Sequence, residues 1–397
     1  MNYIPNELKT LLYMNRHKLL LNNNNNKLVG FINNNNMCYL NSIVQILLNI
    51  DELKIFFSDI SFCIFLTNYI KKNLLKNFNN NYTLIFSILL KTTSFHIFNI
   101  FNIYFKRKNN NNINLKNLKN ILAHYNDMYD DNSQQDASET LNFILDRIHI
   151  EQERKIIIDI NYDYINNNHI IINGLNYIKN SYSIITKIFT TIYNNTSTCP
   201  LCNYTSNRIE INNILDLELY VNIDKINKLL SSNPNINENK KKIITNTLLL
   251  KMKTSLDDCL NNFIKDEILD DANKLLCSNC NNYVNAIKKI NIIIPPIILI
   301  ISIKKYNGNN KKKNLVHFPL YNFHINQYMN IDVKYIKDYY YDLIGIVNQI
   351  GDINYGHYFS FLKQNNEWFC VNDERISKIN EDDVITNNAY MLFYHLK

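Results

Sequence analysis

From residue 28 to about His149, apolar residues recur at helical spacing. Leu40, Ile43, Val44, Leu47 and Leu48 fall on one side of a helix, because positions three and four apart share a face of a 3.6-residue turn. Ala137, Leu141, Ile144, Leu145 and Ile148 form a second such face, and Ser133 or Asp136 stands where an N-cap belongs. Asparagine runs at 79–81 and 109–112 interrupt this pattern and predict loops. The stretch 1–26 is polar, ends in another asparagine run, and predicts a tail or a weak helix.

From about Ile156 the texture changes to short runs rich in isoleucine and tyrosine, which predict strands. Residues 231–242 are polar and predict a mobile loop. Residues 297–303 are largely apolar and suit a buried strand, and Asn307-Gly308 marks a turn after it. Strand character continues through 341–347, 358–362, 367–371 and 390–394, and no internal repeat is present. The order is a helical lobe, a middle β region and a β lobe, an α+β class in which a cleft between lobes is the natural place for chemistry.

Composition changes this picture little. A chain of 397 residues, 46% of them hydrophobic, can build one large domain or two or three smaller ones. Asparagine supplies about a fifth of the residues, while Gly 6, Pro 6 and Trp 1 are scarce. That bias reads as pressure on the coding sequence, and it makes chance matches at asparagine frequent. The net charge of +7 comes from Lys+Arg 42 against Asp+Glu 35. The lysines are dispersed apart from short runs at 240–242 and 311–313, without the dense, aromatic-interleaved stripe of a nucleic-acid binder. No basic segment followed by an apolar run and a small-residue cleavage site opens the sequence. The most apolar stretch, 292–303, is too short for a span and contains Pro295-Pro296. The expectation is an intracellular protein of cytoplasm or nucleus, with no membrane and no nucleic-acid partner. Eight cysteines, four of them in two CxxC pairs, fit a reducing compartment better than a disulfide framework.

Candidate chemistry begins at Cys38, which a loop delivers to the start of an amphipathic helix. Backbone N–H groups and the helix dipole at such a start favour a thiolate, the reactive form. The bland alternative is a small buried cysteine. His357 follows Gly356 at the head of a predicted strand, where it is either a base held at a cleft edge or a satisfied structural histidine. In Trp368-Phe-Cys-Val-Asn372-Asp373, either Asn372 or Asp373 can accept from an imidazole N–H and fix its tautomer. Cys199-Pro-Leu-Cys202 and Cys277-Ser-Asn-Cys280 each supply half of a tetrahedral thiolate site, against the alternative of four free thiols. With all four positions filled by protein, the role of a zinc there is structural. Cys63, Cys259 and Cys370 pair with nothing and read as core, and His124, His149 and His317 fit no ligand spacing.

Together these segments resemble the ubiquitin-specific proteases. Gly30, Asn33, Asn36, Cys38, Tyr39, Asn41, Ser42 and Gln45 match that family's cysteine box in register. Gln134-Gln135-Asp136-Ala137-Ser138-Glu139 matches its middle signature. Tyr341-Asp-Leu-Ile-Gly-Ile-Val, Gly351 and Gly356-His357-Tyr358 match its histidine box, and Ala389-Tyr390-Met-Leu-Phe-Tyr394 its closing strand. The resemblance runs from about Leu28 to the C-terminus and is to compact members without large insertions. It departs at Asn35 and Met37, where the family has Gly and Thr, and at Gln349, where a His usually precedes the second-box Gly. Asn tolerates the left-handed backbone angle that a Gly supplies.

The resemblance implies a papain-like cysteine protease fold, with a tail at 1–27 and a catalytic domain at 28–397. Within it, 28–150 is the helical thumb, 151–290 the β fingers with the zinc site and part of the palm, and 291–397 the β-sheet palm. It implies a deubiquitinase acting on ubiquitin and ubiquitinated proteins, with Cys38 as nucleophile and His357 as base. Asn372 orients His357, Asp373 assists, and Asn33 donates to the oxyanion. Cys199, Cys202, Cys277 and Cys280 hold the zinc, and Gly356 helps form a channel that only a Gly-Gly tail passes. Compact members often act with an activating partner protein. The alternatives are an inactive ubiquitin-binding scaffold of the same fold and a zinc-dependent interaction module unrelated to ubiquitin.

Overall fold

The structure, a computed structural model, describes residues 28–58, 89–106, 112–156, 169–220, 254–307, 310–311, 314–329, 338–351 and 356–397. The expected tail at 1–26, the loops at 79–81 and 231–242, Cys63 and most of the 109–112 run lie outside the described residues. Gly308 of the expected turn lies outside them too. The described residues fall into two compact units. One is drawn from within Met1–Lys155, Ser181–Ile188 and Gly345–Glu381, the other from Ile156–Asn180, Phe189–Ile344 and Asp382–Lys397.

The first unit holds the helices Cys38–Leu47, Asp51–Ser58, Thr93–Lys106, Lys116–Tyr125 and Ala137–Gln152. The helix Cys38–Leu47 is buried on every side, although its pattern predicts a single apolar face. Its polar residues are satisfied within the protein: Ser42 Oγ donates to the Tyr39 carbonyl at 2.9 Å, and Gln45 lies 3.4 Å from the Tyr104 hydroxyl. The helix Ala137–Gln152 buries the predicted stripe, and Asp136 rather than Ser133 caps it by accepting from the Ser138 and Glu139 amides. Near its other end, the buried Glu151 carboxylate accepts from the Thr93 and Ser94 amides, each at 2.8 Å. It thereby caps the helix Thr93–Lys106 where four amides have no intrahelical partner. Burial pushes the Glu151 carboxyl up, and these amides oppose that shift.

In the same unit, the strand Gly356–Gln364 runs antiparallel to the end of Tyr340–Gly351 on one side and to Glu367–Asn372 on the other. Arg375–Ile379 then pairs with Glu367–Asn372. The turn between Gln364 and Glu367 has two residues, Asn365 and Asn366, at φ 51° and 63°. Two positive angles in a two-residue loop match the twist of antiparallel strands. The helix Cys38–Leu47 packs on the strand Gly356–Gln364, so one contact brings Cys38 and His357 side by side.

The second unit holds an antiparallel sheet ordered Thr205–Asn212, Thr191–Thr198, Ile287–Ile294, Glu267–Ile268. The predicted apolar strand is Ile298–Lys304, buried along its length except for Lys304. It pairs antiparallel with Ala389–Leu396 and parallel with Leu215–Glu218. Two helices of this unit, His169–Asn180 and Leu256–Phe263, and the short helix Ile184–Ile188 of the first unit stand in the region expected to be mainly strands. The helix Leu256–Phe263 is started by a capping box, in which Ser255 Oγ accepts from the Asp258 amide while Asp258 accepts from the Ser255 amide. Among the described residues no helix is long and apolar enough to cross a membrane.

Candidate active site

The loop before Cys38 is shaped by left-handed residues. Asn35 and Asn36 lie at φ 62° and 60°, so the asparagine where the resembled family has glycine adopts an angle that only Gly, Asn and Asp readily take. Asn33 Oδ1 accepts the Met37 amide at 2.8 Å, and Asn36 Nδ2 donates to the Asn132 carbonyl at 3.0 Å. Met37 and Cys38 are buried, and Cys38 is the first residue of its helix. The sulfur therefore sits at the positive end of the helix dipole.

His357 is the second residue of the strand Gly356–Gln364, and Asn372 ends the strand beside it. The imidazole Nε2 lies 2.6 Å from Asn372 Oδ1. An amide oxygen only accepts, so Nε2 carries a hydrogen toward Asn372. The Cys38 side chain is in hydrogen-bonding reach of the ring. That contact, followed by Asn372 and the Asp373 charge, raises His357 from 6.5 to about 9 against the opposing effect of burial. Of the two third-member candidates, Asn372 makes the direct hydrogen bond, and Asp373 Oδ2 stands 4.0 Å from Nε2.

Asp373 instead holds the segment around Cys38. Its Oδ2 accepts from Asn33 Nδ2 and its Oδ1 from Asn41 Nδ2, each at 2.8 Å. Its carbonyl accepts the Phe31 amide at 2.9 Å. A Cβ on Gly30 would lie 2.4 Å from that same carbonyl oxygen and 2.5 Å from Glu374 Cα, so close backbone approach requires glycine here. Asn33 is thus engaged at both ends of its amide, with one further Nδ2 hydrogen for the proposed oxyanion role.

Gln134 is the residue that sequence reasoning left without a role. Its Nε2 lies 2.6 Å from the Gly356 carbonyl and 3.4 Å from Cys38 Sγ, while its Oε1 accepts the Gly356 amide at 2.9 Å. Two residues on, Asp136 Oδ2 accepts from the Tyr358 hydroxyl at 3.3 Å. The signal was the signature Gln134-Gln135-Asp136, read only as a mark of resemblance.

The second unit carries the four-cysteine group. Cys199, Cys202, Cys277 and Cys280 have sulfurs that all lie within 4.8 Å of one another. Cys199 is 3.8 Å from Cys280 and Cys202 is 3.7 Å from Cys277. Four sulfurs at about 2.3 Å from a tetrahedral zinc would stand about 3.8 Å apart, so the donor set fits that ion. Each pair is built the same way. Asn203 and Asn281 follow the second cysteine at φ 57° and 55°. Their amides donate to the carbonyls of Cys199 and Cys277 at 3.0 and 2.9 Å. Cys259 is buried as expected, while Cys370 is only partly so.

The family model for ubiquitin carboxyl-terminal hydrolases matches residues 29–394. Ubiquitin carboxyl-terminal hydrolase 8 of Saccharomyces cerevisiae is 35% identical over 164 residues, covering 38% of this chain and 34% of that protein. Ubiquitin carboxyl-terminal hydrolase 21 of Homo sapiens is 30% identical over 148 residues, covering 36% of this chain and 26% of that protein. A probable ubiquitin carboxyl-terminal hydrolase of Acanthamoeba polyphaga mimivirus is 26% identical over 231 residues, 55% of this chain and 42% of that one. The aligned part of the yeast relative is thus about a third of its length. Among solved structures, the SAGA Ubp8/Sgf11/Sus1/Sgf73 DUB module bound to ubiquitin aldehyde is similar in fold. It has a TM-score of 0.64 at 23% identity and covers 99% of this chain and 75% of that chain.

Proposed function

Because this chain belongs to the ubiquitin carboxyl-terminal hydrolase family, we propose that it is a thiol-dependent deubiquitinase. It hydrolyses the bond between the C-terminal glycine of ubiquitin and a lysine of a substrate or of another ubiquitin. The observation that most supports this is the single imidazole of His357, in reach of Cys38 and bonded at 2.6 Å to Asn372.

In this reading His357, held at about 9, already carries the proton of the pair at neutral pH, and Cys38 Sγ attacks the glycine carbonyl carbon as the thiolate. Asn33 Nδ2 donates to the oxyanion that forms. The tetrahedral adduct collapses by breaking the C–N bond, and the leaving lysine nitrogen takes the proton from His357. A water then attacks the thioester carbon as His357 takes its proton, and Cys38 departs, leaving a free ubiquitin carboxylate. Throughout, Asn372 keeps Nε2 protonated and the ring in place, and Asp373 steadies the loop through Asn33 and Asn41.

The chain divides in this reading into a thumb at 28–150, fingers at 151–290 and a palm from 291. Cys199, Cys202, Cys277 and Cys280 would hold a structural zinc that cross-links the fingers. A zinc with four protein ligands supplies rigidity and no catalytic water. Ubiquitin and ubiquitinated proteins are the partners. The similar Ubp8 stands in a module with Sgf11, Sus1 and Sgf73, which supports a partner protein for this chain, in this reading an activating one. The site of action is intracellular, in cytoplasm or nucleus.

Mass spectrometry after incubation with ubiquitin bearing a C-terminal electrophile tests the reading. One covalent ubiquitin on the native protein, and none on Cys38→Ala, is the expected result. A folded sample whose Cys38 reacts with iodoacetamide yet captures no ubiquitin would overturn it.

A further inference from the structure

Gln134, Gln135 and Asp136 lead into the helix that starts at Ala137, and Asp136 is extended at φ −73° and ψ 131°. Gln134 and Asp136 reach the histidine strand, while Gln135 turns away, and its Nε2 donates to the Met128 carbonyl and the Ser133 hydroxyl, each at 2.7 Å. The two inward residues grip Gly356 and Tyr358, the neighbours of His357 on either side. We propose that Gln134 and Asp136 are positioning residues that clamp His357 against Cys38, with Gln134 registering the base to the sulfur.

The chemistry of the amide settles its own orientation. The Gly356 N–H only donates and its carbonyl only accepts. Gln134 must therefore present Oε1 to the first and Nε2 to the second, at 2.9 and 2.6 Å. The second Nε2 hydrogen is then the donor to Cys38 Sγ at 3.4 Å. One side chain thus contacts both the nucleophile and the residue before the base. A donor aimed at sulfur interacts more strongly with a thiolate than with a thiol. Asp136 anchors the other side, because the carboxylate that accepts from Tyr358 also caps a 16-residue helix. The clamp is fastened to a rigid element.

The proposal rests on reading Cys38 and His357 as the reacting pair, and two readouts separate it from the ubiquitin assignment. The first is the pH profile of Cys38 alkylation by iodoacetamide, which needs no ubiquitin. The second is kcat and KM for a fluorogenic ubiquitin C-terminal amide. Gln134→Ala should lower kcat about 10- to 100-fold with KM little changed, the penalty of a misplaced reacting group. It should also slow Cys38 alkylation at neutral pH. Gln134→Glu, equal in size, turns a second anionic oxygen toward the sulfur and should lose more, increasingly so as pH rises. Tyr358→Phe leaves the helix cap intact and should lose less than either. Wild-type kcat and a wild-type alkylation profile in folded Gln134→Ala and Gln134→Glu would overturn the clamp. If Gln134→Ala does not fold, Gln134→Glu and Tyr358→Phe decide it. A wild-type protein that alkylates normally but cleaves no ubiquitin amide would sink the deubiquitinase reading alone, and the alkylation profiles would still judge the clamp.

Discussion

Asn33 donates its side-chain amide to Asp373 Oδ2 at 2.8 Å, across 340 positions of sequence. The bond joins the loop that precedes Cys38 to the turn that follows Asn372. A second bond from Asn41 to the other carboxylate oxygen, also at 2.8 Å, makes Asp373 a brace between two segments. The carboxylate reaches the imidazole only by its charge, while Asn372 holds the ring directly.

Removing this brace should affect structure and rate together. Asp373→Ala leaves two partly buried amide donors without their acceptor and places alanine at φ 51°. A loss of about 2–3 kcal/mol in urea unfolding is expected, with a fall in kcat. Asp373→Asn keeps the backbone angle accessible and one acceptor oxygen, and should lose about half as much.

Gly30 makes a sharper prediction. A Gly30→Ala methyl would sit 2.4 Å from the Asp373 carbonyl oxygen, where the neighbour is backbone and cannot swing aside. Destabilisation of about 3 kcal/mol or more is expected, above the usual cost of overpacking. Thermal unfolding of the variant measures it.

The raised value of His357 fixes a pH window. A group held at about 9 in the folded protein against 6.5 ordinarily stabilises the fold fully below 6.5, and that contribution is lost as pH rises through about 9. Wild-type stability should therefore fall across this interval more than that of His357→Gln. Cys38→Ala removes the largest cause of the shift. It should return the imidazole toward its ordinary value, as NMR titration of the ring would read.

The four-cysteine group should bind about one zinc per chain, with its thiols unreactive toward a chromogenic disulfide until a chelator is added. Cys277→Ser should bind zinc more weakly and lower the unfolding temperature. Metal content is the check, independent of activity.

Much of the candidate site was legible because the residues proposed for chemistry sit in local patterns. Cys38 at a helix start, His357 after Gly356, and two CxxC pairs each carry their signal within a few positions. The stripe of Ala137–Gln152 is likewise local, and so is its cap. What was not legible depends on distant partners. Nothing near Gln134 says that it meets Gly356, 222 residues away. Nothing near Asp373 says that its carboxylate serves Asn33. The helices His169–Asn180 and Leu256–Phe263 were lost for another reason. An isoleucine- and asparagine-rich composition blurs the difference between helical and strand patterns, and packing overrides propensity there.

The non-glycine residues at positive φ have a consequence for the unfolded chain. Among the described residues these are Asn35, Asn36, Asn203, Asp271, Asn281, Asn322, Asn365, Asn366 and Asp373, all asparagine or aspartate. Glycine at such positions would fit the folded backbone but leave the denatured ensemble more freedom to lose on folding. A side chain that tolerates the left-handed region narrows that ensemble, by up to about 1 kcal/mol per position where it fits without strain. The scarcity of glycine in this sequence therefore need not weaken its turns. The loop before Cys38, the cysteine knuckles and the hairpin after Gln364 start their folding from a stiffer random coil.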